Sequence, residues 1–133
     1  MEKAAGIKKA PVYLSKISRE TFDKLKEQIL HKLVVEKMYR DQGFTAKKLA
    51  EMLHTNTRYV SIVLNVRYQA NFSQFVNRLR VEEAKALLAD KRYAELRIEE
   101  ISDMVGFANR QSFYRAFCMN TGKTPRQYQE AFV

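Results

Sequence analysis

The sequence predicts an all-α fold: two helix-turn-helix subdomains joined by a long linker helix, with an extra N-terminal helix. Three observations predict it. Apolar residues recur at helical spacing through most of the 133 positions, not at the alternation of strands. Four glycines and two prolines are too few for the tight turns of an all-β chain. Two stretches, one before the middle and one near the end, each outline a short helix, a tight turn and a second helix.

Residues 1–17 show no helical period. They carry Lys3, Lys8, Lys9 and Lys16 against Glu2, and Pro11 discourages a helix, so they read as a flexible basic arm. Residues 18–43 hold the N-terminal helix. Ser18 caps it, Phe22, Leu25, Ile29 and Leu33 form its apolar stripe, and it runs to about Met38 before Asp41-Gln-Gly43 ends it.

Residues 44–71 form the first helix-turn-helix. Thr45 opens a short helix with Leu49 and Leu53 at i, i+4, and Ala46 and Ala50 allow close packing. His54-Thr-Asn56 is a turn, and Asn56 or Thr57 caps the next helix. There Val60, Val63 and Leu64 share an inner face, whereas Arg58, Ser61, Ile62 and Asn65 share the outer one.

Residues 72–95 form the linker helix and a charged connector. Asn71 caps the helix, which runs to about Lys91. Phe72, Phe75, Val76 and Leu79 suit packing on the first pair, and Ala84, Leu87 and Leu88 on the second. Such a helix is a rigid spacer, and two reading helices enter successive major-groove segments only when held ~34 Å apart. Arg78, Arg80 and Lys85 are candidate phosphate contacts on it.

Residues 96–133 form the second helix-turn-helix. Ile98, Ile101 and Val105 make one stripe, Gly106 suits the left-handed helix end, Phe107 seals the turn and Asn109 caps the following helix. With Phe113 at the core, Ala116, Phe117 and Asn120 lie near it, while Gln111, Tyr114, Arg115 and Cys118 point away. Arg110 and Ser112 stand at the N-terminal rim. Arg pairs bidentately with guanine and Gln with adenine in the major groove, so this outer face suits base reading.

Charge agrees with that chemistry. The 24 Lys and Arg against 15 Asp and Glu leave a formal net charge of +9, which favours polyanions, nucleic acid first. A single cysteine, Cys118, excludes an internal disulfide and suits a reducing, cytoplasmic setting. His31 and His54 lack partners at metal-ligand spacing, so no metal or cofactor is expected. No apolar run reaches the ~18 residues of a membrane span. Nothing suggests an enzyme: no histidine lies in a recognisable base position, and no Gly-rich phosphate loop appears.

The segments IEEISDMVGF (98–107), SFYRAF (112–117) and GKTPRQY (122–128) closely resemble the DNA-binding domain of the AraC family of transcription regulators. LAEML (49–53) and NFSQFVNRLRVEEA (71–84) agree with it, so the resemblance spans roughly residues 44–132. It implies binding of one asymmetric double-stranded DNA site by two helix-turn-helix units, in a bacterial regulator with RNA polymerase as protein partner. By matching positions, base reading falls on Arg58 and Ser61, then on Arg110, Gln111, Ser112 and Arg115; Arg80 and Ala84 occupy positions that look structural in the family. Five positions depart from the usual pattern: Ile62 replaces a basic residue, Cys118-Met119 replaces Lys-Lys, and Gln69 and His54 replace glycines. Family members usually carry a separate sensing domain, and about 40 residues before the first helix-turn-helix are too few for one. A different use of the same outer faces, around Tyr59, Ile62, Tyr114 and Cys118, is a helical protein-interaction module without sequence-specific DNA binding.

Overall fold

The computed structural model describes residues 17–132. The basic arm expected over 1–17 therefore lies, apart from Ile17, outside the described residues. The architecture is all-α, and no strand occurs among the described residues.

Helix α1 spans Arg19–Leu30, with the Ser18 side chain accepting from the Thr21 amide. It does not continue as an α-helix to Met38. His31–Val35 is a π-helical turn, Lys37 is left-handed (φ 56°), and Met38–Arg40 is a 3₁₀ turn. The stripe residues Leu25, Ile29 and Leu33 are all buried, so the widened turn keeps their face inward while re-aiming the chain behind it.

Helices α2 (Ala46–Met52) and α3 (Thr57–Tyr68) follow, capped by Thr45 and Asn56. The linker α4 spans Phe72–Ala89 and starts in a reciprocal capping box between Asn71 and Gln74. It stops two residues before the expected end, and Lys91–Tyr93 is a 3₁₀ turn inside the connector. Helices α5 (Ile98–Val105) and α6 (Arg110–Thr121) form the second pair. A seventh helix, α7 (Pro125–Glu130), was not expected. Its signal is present in the sequence: Thr124 and Gln127 form a capping box around Pro125 at the first helical position.

Two cores result. The first gathers Leu25, Ile29 and Leu33 of the N-terminal helical segment with Leu49, Val60, Val63 and Leu64 of the first pair. The second gathers Ile101 and Val105 with Phe107, Phe113 and Phe117. Helix α4 serves both as the sequence suggests: Phe75 and Val76 enter the first, while Val81, Ala84 and Leu88 enter the second. Each fully buried Phe or Leu contributes about 1.5–3 kcal/mol of transfer free energy.

A second connection between the cores has no counterpart among the sequence expectations. Tyr39, buried in the first core, donates its hydroxyl to Glu83 Oε1 of α4 at 2.9 Å. Arg40 Nε donates to the same oxygen at 2.9 Å, and another Arg40 nitrogen donates to Glu83 Oε2. Arg80 Nε donates to the Tyr39 carbonyl at 2.7 Å and a terminal nitrogen to the Asp41 carbonyl at 3.2 Å. The Arg80 guanidinium lies 5.6 Å from the Phe107 ring centroid, in the second core. Arg80 is thus corrected from candidate phosphate contact to structural tie. Burial lowers its pKa, because the charge has lost water, and the nearby Asp41 carboxylate only partly opposes that shift.

Candidate nucleic-acid interface

The two helix pairs repeat one geometry. In each, the second helix is 12 residues long and is capped by an asparagine: Asn56 accepts from the Tyr59 amide at 2.9 Å, and Asn109 from the Ser112 amide at 2.8 Å. A left-handed residue stands in each turn, His54 (φ 56°) and Gly106 (φ 108°). Another ends each second helix, Gln69 (φ 49°) and Gly122 (φ 77°). His54 and Gln69 therefore hold a left-handed conformation that favours glycine, at roughly 1–2 kcal/mol of backbone strain each.

On α3, Arg58, Ser61 and Asn65 are exposed together, as expected from their spacing. Asn65 Nδ2 donates back to the Ser61 carbonyl at 3.1 Å, which leaves its side-chain oxygen free to accept. Ile62 is a correction. It is only 2% exposed and does not belong to an outer face. Helix α3 contacts α1 as well as α2 and α4, and Val66, one turn beyond Ile62, lines a cleft with Phe22, Asp23 and Lys26 of α1. A two-sided division of the helix does not allow for this third neighbour. At this position the helix carries a packing residue.

On α6, Arg110, Gln111 and Arg115 are exposed and Ser112 is half-buried. Phe113, Ala116 and Phe117 face the core, but Asn120 does not. It is exposed, and its amide donates to the Ala116 carbonyl at 2.7 Å. Tyr114 is half-buried against the second core, and Arg110 lies over its ring at 5.0 Å. Arg110 also pairs with Glu99 of α5 at 3.5 Å. The first-turn arginine is thereby held near the helix N-terminus before any ligand arrives. Cys118 and Met119 are both exposed, Met119 being 81% so.

Against known proteins, a family model described as a helix-turn-helix domain matches residues 49–131, more than half of the chain. The chain belongs to the AraC-type helix-turn-helix family. Members of the AraC-type family are DNA-binding transcription regulators. An uncharacterised helix-turn-helix-type transcriptional regulator of Bacillus subtilis is 34% identical over 88 residues, covering 66% of this chain and 35% of its own length. The C-terminal domain of a two-component response regulator from Fusobacterium nucleatum has 31% identity and a TM-score of 0.65, covering 80% of this chain and 96% of that one. An AraC-type DNA-binding protein from Chromobacterium violaceum has 17% identity and a TM-score of 0.65, over 82% of this chain and 96% of that one, a likeness of fold alone. The chain spans about a third of the length of the curated relatives it matches.

Within this AraC-type domain the other candidate phosphate contacts divide. Lys85 pairs with Glu82 at 3.1 Å, and Arg78 is exposed, reaching the Tyr68 carbonyl at 3.4 Å. No group of His, Cys, Asp and Glu that could hold a metal occurs among the described residues. Nor is any described helix long and apolar enough to cross a membrane. Sequence reasoning missed Tyr39, Arg40 and Glu83, whose hydrogen bonds tie the Met38–Arg40 turn to α4. Their one visible trace was Arg80, whose place in the family pattern already looked structural.

Proposed function

We propose that this chain binds double-stranded DNA sequence-specifically as the reading module of a transcription regulator, with α3 and α6 in successive major-groove segments. The repeated geometry carries the proposal: two equally long, asparagine-capped helices on one linker, each backed by its own core. Residues 44–71 and 96–133 act as the two reading units, and 72–95 as their spacer. Arg58, Ser61 and Asn65 address bases or nearby phosphates in one segment. Arg110, Gln111, Ser112 and Arg115 address the other, with Arg suited to guanine and Gln to adenine. Exposed lysines and arginines other than Arg40 and Arg80 neutralise phosphates and supply the sequence-independent part of the affinity. RNA polymerase is the protein partner through which DNA binding changes transcription.

Selection from a random duplex pool, followed by footprinting, tests this reading. A single preferred site with two protected groove segments is expected. Its affinity should fall at least about tenfold between roughly 50 and 200 mM salt. Equal binding to selected and random duplex would reduce the protein to a non-specific polycation binder. Absence of duplex binding at low salt would favour the protein-interaction module. Retention of purified RNA polymerase on the selected duplex only when the protein is present tests the polymerase contact.

A further inference from the structure

We infer that residues 38–41 form a strut between the two subdomains that fixes the orientation of α6 relative to α3, with Tyr39, Arg40 and Glu83 as positioning residues for DNA reading. The inference rests on the two-segment reading proposed above.

One residue belongs to both halves. The Tyr39 ring is buried in the first core, while its backbone carbonyl sits against the turn of the second pair. A Cβ placed on Gly106 would meet the Tyr39 oxygen at 2.3 Å and the Arg40 carbonyl carbon at 2.9 Å. Only a glycine permits that approach. Gly106 lies four positions before Arg110, so whatever bears on it bears on the start of α6. The 3₁₀ turn Met38–Arg40 contacts both α4 and α5.

The mechanical role follows from geometry. A single helix joining two small cores leaves each free to pivot about the faces it packs on. A second, off-axis connection removes that freedom. Here the Glu83 side chain, 15% exposed, accepts from Tyr39 and Arg40, with Lys37 at 3.9 Å. Arg80 then holds the carbonyls of Tyr39 and Asp41 while lying over Phe107. Helix α4, the strut and the α5–α6 turn make a triangulated frame. Reading two groove segments at once requires it, because an error in relative orientation loses one set of base contacts whenever the other is made.

A distance measurement decides the matter without DNA. Cys118, the sole cysteine, is exposed on α6, and Thr57→Cys adds a second label site at the exposed start of α3. Pulsed electron-spin distance measurements should give one narrow distribution for this pair. Glu83→Gln and Tyr39→Phe should each widen it at least about 1.5-fold, by populating orientations the strut excludes. Glu82→Gln, on the neighbouring exposed position, should leave it unchanged. Should Glu83→Gln fail to fold, Tyr39→Phe, which loses a single hydroxyl, carries the comparison.

In the chain with its natural cysteine alone, inserting one base pair between the two half-sites turns the second by about 34° and moves it about 3.4 Å. This should cost the wild type at least about tenfold in affinity and the variants less than about threefold, with either half-site alone bound unchanged within about twofold. Identical distance distributions for wild type, Tyr39→Phe and Glu83→Gln would overturn the strut. A wild type without sequence preference would instead remove the two-segment reading, and the distance distributions would still judge the strut.

Discussion

Arg110 and Arg115 stand on one helix in different circumstances. Arg110 is held between Glu99 and the Tyr114 ring, whereas Arg115 is exposed one turn later. Arg58 stands two residues past the Asn56 cap, in the first turn of α3. Arg58→Ala and Arg115→Ala should each lose ~1–3 kcal/mol of discrimination at one local base step, seen as a flattened preference at that position in a binding-site library. Equal losses on selected and random duplex would demote either residue to a phosphate contact. A different residue bears on stability alone. Ser102 is 2% exposed, and its hydroxyl has no hydrogen-bond partner in the second core. An unpaired buried hydroxyl costs about 1–3 kcal/mol. Ser102→Ala should therefore raise the urea midpoint without altering DNA affinity.

At the scale of elements, the two left-handed glycines separate strain from contact. Gly122 (φ 77°) has open space where a Cβ would stand, with nothing within 4 Å, while Gly106 (φ 108°) faces the Tyr39 carbonyl. Gly122→Ala should cost roughly 1–2 kcal/mol, the backbone strain alone. Gly106→Ala adds a steric clash with backbone that cannot move aside and should cost more than about 3 kcal/mol, both read from chemical denaturation. The helices themselves were largely legible in the sequence. Ser18, Thr45, Asn71 and Asn109 cap where their spacing from the apolar stripes says they should. The π-helical turn at His31–Val35 was not, because HKLVV carries no local signal against an ordinary α-helix. Periodicity alone was enough to set Arg58, Ser61 and Asn65 on an open face of α3, and Gln111 and Arg115 on one of α6. It failed at Ile62, which is buried on a helix that packs on α1 as well as on α2 and α4.

At the scale of the molecule, what stayed illegible is what joins distant parts. Nothing near Tyr39 or Arg40 in the sequence points to Glu83, 44 and 43 positions on. That joint gives the protein an acid-sensitive feature. Burial pushes the Glu83 carboxyl up, but hydrogen bonds from Arg40 and Tyr39, with the charges of Arg40 and Lys37, outweigh it and hold the group below its ordinary 4.5. The carboxylate form is the one the fold favours. Its stabilisation is complete above pH 4.5 and is lost as pH falls through the lower folded value. The gap in urea midpoint between wild type and Glu83→Gln should accordingly be constant at neutral pH and narrow below 4.5. Tyr39 has the opposite sense: burial, then the bond to Glu83, push its hydroxyl from 10.0 up to about 12, so its contribution is present below 10.0 and lost as pH climbs toward 12.

The bond between Tyr39 and Glu83 also closes a ring of chain, and the whole first helix-turn-helix lies inside it. The end of that ring at Tyr39 leans on Gly106, in the other core. Neither core has the size to be a durable folding unit by itself. Tied in this way they should share one unfolding barrier, and calorimetry should record one two-state transition in spite of the two-part plan; two separate transitions would show the cores unfolding apart.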